Sequence, residues 1–289
     1  MRCLIAGCGY VGTALGLALV AEGHTVYALR RRPEGLPAAL HPVAADLTRP
    51  RSLGALPGSL DAVVYAVAAA GRDEAAYRAA YVDGLANLLG ALDVLESPPR
   101  RFLYASSTSV YAQDDGEWVD EESRTEPRRF TGKLVLEGEG LLADRGTLGG
   151  APLERSSVRF GGIYGPGRTR LLESVRRGEA RVAPGPPQWT NRVHRDDAAG
   201  SLAHLLVQPE PAPVYVGVDC EPAARRAVLD WLAARLGVPG PPEGGEAEPG
   251  PRRGGGNKRC RNARLVASGY TFRYPTFREG YGALLEETG

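Results

Sequence analysis

Short apolar runs alternate with helix-like patterns along the first 160 residues of the chain. The first run, Cys3 to Ala6, ends in glycines, and the next segment, Val11 to Glu22, has helical periodicity and stops at Gly23, a common helix terminator. Further strands are predicted at 25–29, 41–47, 62–67, 101–106 and 156–160, and further helices at 74–95 and 133–144. Repeated strand–helix units predict an α/β fold with a parallel, doubly wound Rossmann sheet.

The pattern becomes less regular after Gly161. Three more helices are predicted there, at 196–207, 223–236 and 281–287, and one more strand at 214–218. Residues 238–256 are mostly Pro, Gly, Glu and Arg, which predicts a loop. We therefore expect a dinucleotide-binding Rossmann domain at 1–167 and 191–218, and a smaller C-terminal substrate lobe at 168–190 and 219–289.

A glycine motif, G-x-G-x-x-G, stands between the first predicted strand and the first predicted helix, at 7–12. In such a motif Gly7 permits a tight turn, Gly9 lets the backbone approach a pyrophosphate, and Gly12 allows the helix to pack close to the sheet. The alternative is a plain strand–helix turn in a glycine-rich chain. The flanking strand and helix favour dinucleotide binding.

The choice of dinucleotide is expected at the end of the second strand, where an acid selects NAD and a base suits NADP. This chain has Arg30 and Arg31 there and no acid, so NADP is predicted, with NAD as the alternative if these arginines only reflect the chain's high arginine content. Asp46 follows the third strand and is expected at the adenine. The other residues assigned to the cofactor are Gly7, Gly9, Tyr10, Val11, Gly12, Leu47, Val67 and Ala68.

Composition narrows the class of protein further. With 35 basic and 34 acidic residues the net charge is +1, which argues against a nucleic-acid or anionic-membrane binder. The apolar runs near the start are too short to span a membrane, and the four cysteines have no metal-binding spacing, so we expect a cytoplasmic protein with no metal. Only two of the 35 basic residues are lysines, Lys133 and Lys258.

Three segments resemble one known family, the extended short-chain dehydrogenase/reductases of the NAD-dependent epimerase/dehydratase type. The segment Phe102 to Tyr111 (FLYASSTSVY) resembles that family's fifth strand and its Ser-Ser-x-x-Val-Tyr turn. Arg159 to Gly167 resembles its R-x-x-x-x-YGPG segment, and His194 to Ala198 its His-Val-x-Asp helix start. The tail, with Asn257-Lys258-Arg259-Cys260 and Asn262-Ala263-Arg264-Leu265, is similar to that of uncharacterised members of the group.

The resemblance implies a catalytic Ser, Tyr and Lys, with Tyr and Lys spaced as Y-x-x-x-K. The matching Ser is Ser107 and the matching Lys is Lys133, which also binds the cofactor in that family. Arg129 occupies the Tyr position, and Tyr81 stands where the family usually has Asn, so an atypical branch without the usual acid is predicted. Tyr111 is the alternative phenol, and its alternative role is packing under the loop.

Substrate contacts are expected from the same segments. The candidates are Thr108, Arg129, Tyr164, Arg168, Asn191, Arg192 and His194. For His194, a structural role near a helix start is the alternative. The predicted function is NAD(P)-dependent oxidation–reduction, or epimerase/dehydratase-like chemistry, at a carbonyl or alcohol carbon of a small molecule or nucleotide sugar. The rival hypothesis is a non-catalytic NADP-binding sensor, and the resemblance is consistent with a homodimer.

Overall fold

The computed structural model describes residues 1–244 and 256–288. In chain order its strands are β1 (Arg2–Ala6), β2 (Thr25–Arg30), β3 (His41–Ala44), β4 (Ala62–Tyr65), β5 (Arg101–Ser107), β6 (Glu117–Val119), β7 (Thr147–Leu148), β8 (Ala151–Pro152), β9 (Glu154–Phe160), β10 (Gly162–Tyr164), β11 (Trp189–Thr190), β12 (Arg192–His194), β13 (Val214–Gly217), β14 (Ala223–Ala224) and β15 (Lys258–Cys260). The α-helices are α1 (Tyr10–Ala21), α2 (Glu74–Arg78), α3 (Gly84–Asp93), α4 (Phe130–Ala143), α5 (Arg170–Arg176), α6 (Arg195–Val207), α7 (Arg225–Leu236), α8 (Ala263–Ala267) and α9 (Phe277–Thr288).

Seven parallel strands form the central sheet in the order β3-β2-β1-β4-β5-β9-β13. This confirms the predicted doubly wound Rossmann sheet. The strand order changes direction between β1 and β4, and the carboxyl ends of such strands open a crevice in which ligands bind. The glycine motif leaves β1 at this position.

Helices cover both faces of the sheet. On one face α1 packs against α6, and Leu15 and Leu19 of α1 are fully buried there. On the other face α3 turns one apolar stripe to the sheet, formed by Leu85, Leu88, Leu89 and Leu92. The three- and four-residue spacings of these leucines put them on one side of the helix.

A third apolar core lies apart from the two sheet cores and belongs to the smaller C-terminal lobe. It is built from α5, α7 and α9, with Leu172, Leu229, Leu232 and Phe277 among its fully buried members. The division into segments at 167/168, 190/191 and 218/219 stays a prediction. Of the predicted loop at 238–256, residues 245–255 lie outside the described part of the chain.

Several element boundaries differ from the sequence prediction for local reasons. The helix predicted at 74–95 contains a π-helical turn, Ala79–Asp83, where Tyr65 Oη donates to the Ala80 carbonyl at 2.6 Å. Helix α4 begins at Phe130, three residues before its predicted start. The strand predicted at 41–47 is shorter, because after β3 the chain turns around Asp46, whose Oδ1 accepts the Thr48 N–H. The strand predicted at 62–67 ends at Tyr65.

The tail motif forms a short strand that was not predicted. Strand β15 pairs in parallel with β6, and Asn191 holds it from the other side. The Asn191 amide donates to the Lys258 carbonyl at 2.9 Å and accepts the Cys260 N–H at 2.7 Å. The guanidinium carbon of Arg259 lies 4.9 Å from the ring centre of Trp118 and 4.8 Å from that of Trp189. The tail is thereby fixed beside the turn that follows β5.

Candidate functional site

The glycine motif forms an open cradle at the carboxyl end of β1. Gly7 has a φ of +84°, and a Cβ there would lie 2.7 Å from the Val67 backbone. A Cβ on Gly12 would lie 2.8 Å from the Gly7 carbonyl oxygen, so both positions require glycine. Gly9 is exposed, and a Cβ there would meet no atom closer than 3.9 Å. The outer side of the loop is therefore free for a phosphate group at the N-terminus of α1.

The residues assigned to the adenosine end lie along the neighbouring strand ends. Arg30 is half-buried at the end of β2, and Arg31 beside it is exposed. Asp46 accepts hydrogen bonds from the Thr48 hydroxyl at 2.7 Å and its N–H at 3.0 Å. These bonds, with help from the charges of Arg31 and Arg49, hold the pKa of Asp46 below its usual value. An ionised carboxylate and two guanidiniums thus stand at this edge.

Three further cofactor candidates line the same edge. The Leu47 side chain is buried, and its carbonyl accepts the Asn87 side-chain amide at 2.8 Å. Val67 and Ala68 directly follow β4, and the Val67 backbone touches the Gly7 turn. The structure therefore brings the cofactor residues predicted on β1, β2, β3 and β4 together around one crevice.

Ser107 is the last residue of β5, and a 3₁₀ turn at Thr108–Val110 follows it. Its Oγ accepts the Ser109 N–H at 3.2 Å, which leaves the hydroxyl proton available to another acceptor. Thr108 is buried behind it. Because β5 is next to β4 in the sheet, Ser107 stands at the same carboxyl-end edge as the glycine cradle.

Tyr111 is held in the core rather than in the crevice. It is 1 % exposed, its Oη donates to the Asp120 carbonyl at 2.7 Å, and Arg159 Nη1 donates to it at 2.9 Å. Burial raises the pKa of this phenol well above its usual value. The geometry supports the packing role and does not support Tyr111 as an acid.

Lys133 lies on the exposed side of helix α4. Helix α4 turns Gly132, Val135 and Glu139 inward, whereas Lys133 is exposed, on the same side of the helix as Glu137. Glu137 in turn pairs with Arg78 at 2.9 Å. The assignment of Lys133 to cofactor binding and catalysis stays a prediction, and its exposed side chain is accessible to a ligand. Arg129 is the N-cap residue of α4 and is also exposed.

Four of the predicted substrate residues have contacts within the chain. His194 is 2 % exposed, caps α6 by accepting the Asp196 N–H at 3.2 Å, and packs its ring 4.1 Å from that of Tyr274. Burial lowers the pKa of His194 to about 4, so the ring is neutral. The Tyr164 ring is buried and stacks on that of Tyr281 at 4.4 Å.

Arg192 and Asn191 complete this group. Arg192 is buried in the lobe, with its guanidinium 5.6 Å from the centre of the Phe277 ring and a hydrogen bond to Thr190 Oγ1. Both polar atoms of the Asn191 amide are occupied by the tail strand. Contacts within the chain occupy Asn191 and His194, whereas Tyr164 Oη and Arg192 Nη1 are buried without a hydrogen-bond partner among the described residues, so the substrate assignments stay predictions.

A buried charged network was missed from the sequence. Glu139 on α4 forms a bidentate pair with Arg159 on β9, with Nη2–Oε2 at 2.7 Å and Nε–Oε1 at 3.0 Å. Ser106 donates to the same carboxylate, and Tyr111 is joined to the same guanidinium. A signal was present, since Glu139 falls on the helix face that Val135 and Leu142 mark as buried. Lys258 is also buried, with its Nζ 3.4 Å from the Tyr111 carbonyl.

The described residues were also compared with the requirements of a metal site and of a membrane-spanning helix. Within residues 1–244 and 256–288, no three His, Cys, Asp or Glu side chains are grouped closely enough to hold a metal ion. No helix in that part of the chain is both long and apolar enough to cross a membrane.

These features define a Rossmann-fold protein with a cradle that fits a nicotinamide dinucleotide. The chain belongs to the NAD dependent epimerase/dehydratase family, whose model matches residues 3–185. It is 31% identical over 317 residues to a "3-diazoavenalumate denitrifying reductase" from Streptomyces sp, covering 98% of this chain and 99% of that protein. A Methylobacillus flagellatus structure described as an NAD-dependent epimerase/dehydratase is 37% identical, with a TM-score of 0.80 and coverage of 99% and 98% of the two chains.

The fold is also that of the human epimerase family protein SDR39U1, solved with NADPH. That structure has a TM-score of 0.82 at 23% identity, and 99% of each chain is covered. The family and the reductase relative show that the chain is an NAD(P)-dependent enzyme.

Proposed function

We propose that this enzyme is a reductase that prefers NADPH and delivers hydride to a carbonyl carbon of a small molecule held near Ser107. The observation that carries the proposal is the cofactor crevice, in which two arginines and no acid stand at the end of β2. Guanidiniums suit a 2′-phosphate, which NADPH has and NADH lacks. The relative named as a reductase, which matches nearly the full chain, supports the direction of the reaction.

Ser107 is the group we assign to the substrate oxygen. Its Oγ already accepts a hydrogen bond from Ser109, so its own proton can be donated to a carbonyl oxygen beside the cradle. When bound, the reduced cofactor supplies the hydride. The new C–H bond then replaces the carbonyl π bond, and the oxygen takes a proton from water.

The proposal includes an unusual catalytic arrangement without a tyrosine–lysine pair. Arg129 occupies the tyrosine position, and Tyr111 is held in the core. A guanidinium stays protonated at neutral pH and cannot serve as the acid. We therefore assign placement and oxygen stabilisation to the chain, and final protonation to water. A homodimer and the domain boundaries remain predictions.

The test is NADPH oxidation with a panel of small ketones, oxoacyl compounds and nucleotide sugars, followed by absorbance. Turnover of one compound is expected, and Ser107→Ala should lower its kcat/KM by about 100-fold or more, as for loss of one oxygen-binding donor. Ser109→Ala is the matched control on the same turn, because Ser109 contributes its backbone N–H, which the substitution keeps. Tight NADPH binding without turnover of any compound would favour the non-catalytic sensor.

The cofactor preference is tested separately. Arg30→Ala with Arg31→Ala should weaken NADPH binding by about tenfold or more, the value of a charge-assisted hydrogen bond, and leave NADH binding unchanged. Tighter binding of NADH than of NADPH by the wild-type enzyme would refute the arginine argument.

A further inference from the structure

The glycine loop is connected to the smaller lobe by one aromatic residue. Tyr10 follows Gly9 as the first residue of α1, and its Oη donates to the Pro166 carbonyl at 3.0 Å. Pro166 belongs to the loop between β10 and α5, which leads into the lobe. A Cβ on Gly165 would lie 3.0 Å from Tyr10 Oη and 3.1 Å from Arg195 Cβ, so the loop approaches the helix closely.

Two guanidiniums lie at the ring of Tyr10. The Arg168 guanidinium carbon is 4.0 Å from the ring centre, and that of Arg195 is 5.5 Å away. Arg168 is exposed, whereas Arg195 is half-buried and pairs with Asp196 at 2.8 Å. The position of Arg168 is set by a turn in which its N–H donates to the Gly165 carbonyl at 2.9 Å.

The glycine loop has no positive side chain of its own for the pyrophosphate of a bound dinucleotide. The loop and helix α1 together, residues 7–21, have no charged side chain. A helix N-terminus supplies roughly half a positive charge, whereas a pyrophosphate carries about two negative ones. Positive side chains for the pyrophosphate can therefore come only from outside residues 7–21, and Arg168 and Arg195 lie at the first residue of α1.

We propose that Arg168, assisted by Arg195 and held by Tyr10, binds the cofactor pyrophosphate. This moves Arg168 from the predicted substrate contacts to the cofactor site and makes the loop at 165–168 a strap that ties the smaller lobe to the bound dinucleotide. The inference rests on dinucleotide binding at the cradle but not on the reductase chemistry. Since NADPH and NADH share the pyrophosphate, Arg168 should act equally on both, unlike Arg30 and Arg31.

The experiment measures the Kd of NADPH, NADH and ADP-ribose by calorimetry for wild type, Arg168→Ala and Arg168→Lys. ADP-ribose has the pyrophosphate without nicotinamide or 2′-phosphate. We expect Arg168→Ala to weaken all three by a similar factor, about tenfold or more, and Arg168→Lys to weaken them less. Added salt should reduce the difference between wild type and variant. Arg176→Ala on the adjacent helix α5 is the matched control, since its guanidinium pairs with Glu173 at 2.7 Å, and it should leave every Kd unchanged.

Three results would overturn the inference. Unchanged Kd values in Arg168→Ala would show that this residue does not bind the cofactor. A loss confined to NADPH would assign it to the 2′-phosphate, and a higher substrate KM with normal cofactor binding would return it to the substrate. Because binding is measured without turnover, failure of the reductase proposal would leave these Kd values interpretable. Circular dichroism and the Tm of each variant check that it is folded.

Discussion

Replacing Tyr111 with Phe separates a structural from a catalytic role for this residue. The change removes one oxygen and keeps the ring in the same apolar surroundings. Two hydrogen bonds are lost, the one donated to the Asp120 carbonyl at 2.7 Å and the one received from Arg159 Nη1 at 2.9 Å. Arg159 keeps its bidentate pair with Glu139, so the buried charge stays compensated.

The loss in stability can be estimated from these two bonds. A hydrogen bond between neutral groups contributes about 1 kcal/mol and one to a charged group about 1.5–3 kcal/mol, so the free energy of unfolding should fall by about 3 kcal/mol. For a chain of this size that corresponds to a fall in Tm of about 5 °C or more. Catalysis should be unaffected, because burial raises the pKa of Tyr111 and an acid at neutral pH needs the opposite shift.

The assay combines thermal unfolding with NADPH binding and turnover below the Tm of the variant. We expect a lower Tm, with Kd and kcat/KM within about twofold of wild type. Tyr215→Phe is the matched control, since Tyr215 is also buried and its Oη accepts one hydrogen bond, from the Ala212 N–H at 2.8 Å. Loss of turnover by 100-fold or more at an unchanged Tm and unchanged NADPH affinity would refute the structural assignment and make Tyr111 the acid.

Three other variants test the cradle, the helix face and a buried carboxyl. Gly12→Val should abolish tight NADPH binding, because a Cβ there lies 2.8 Å from the Gly7 carbonyl oxygen, and unchanged binding in a fluorescence titration would contradict the cradle geometry. Lys133→Ala tests the predicted cofactor lysine and should weaken NADPH binding by about tenfold, the value of one charge-assisted hydrogen bond, whereas a change of less than about twofold would remove Lys133 from the cofactor site. Burial raises the pKa of Asp219 from 3.8 to about 7, so the folded state holds this proton more tightly than the unfolded state does. The free energy of unfolding therefore falls as the pH rises from about 4 to about 7. Asp219→Asn should therefore gain stability over wild type between pH 5 and pH 8 in urea unfolding, and an equal difference at both pH values would contradict the shift.

The cofactor half of the site could be predicted because its geometry is local. The turn at Gly7 and the close approach of Gly12 involve atoms of the same strand–helix unit and of the neighbouring β4. A sequence motif that specifies such a turn contains nearly all the information about it. The strands of the sheet could be located for the same reason, since each is a short apolar run between glycine, proline or polar residues.

Lys133 shows what a helical spacing can and cannot predict. A four-residue spacing places Lys133 and Glu137 on one side of a helix but does not say which side faces the sheet. The direction is set by the inward contacts of Gly132, where a Cβ would lie 2.3 Å from the Ser109 carbonyl oxygen, and by the Glu139 pair with Arg159. Both depend on partners 20 or more residues away, which no local pattern of α4 contains.

The substrate half is harder to predict because several of its candidate residues contact the distant tail. Asn191 is occupied by Lys258 and Cys260, and Tyr164 by Tyr281, so their partners follow more than 60 residues later in the chain. A motif near a helix start therefore cannot tell whether a polar side chain will meet a substrate or a strand of the same protein. Arg168 also has a distant partner, because it contacts Tyr10, which lies 158 residues earlier in the chain. This contact brings Arg168 to the glycine loop at 7–12. The sequence shows that Arg168 can bind an anion, but which anion lies near it depends on the fold.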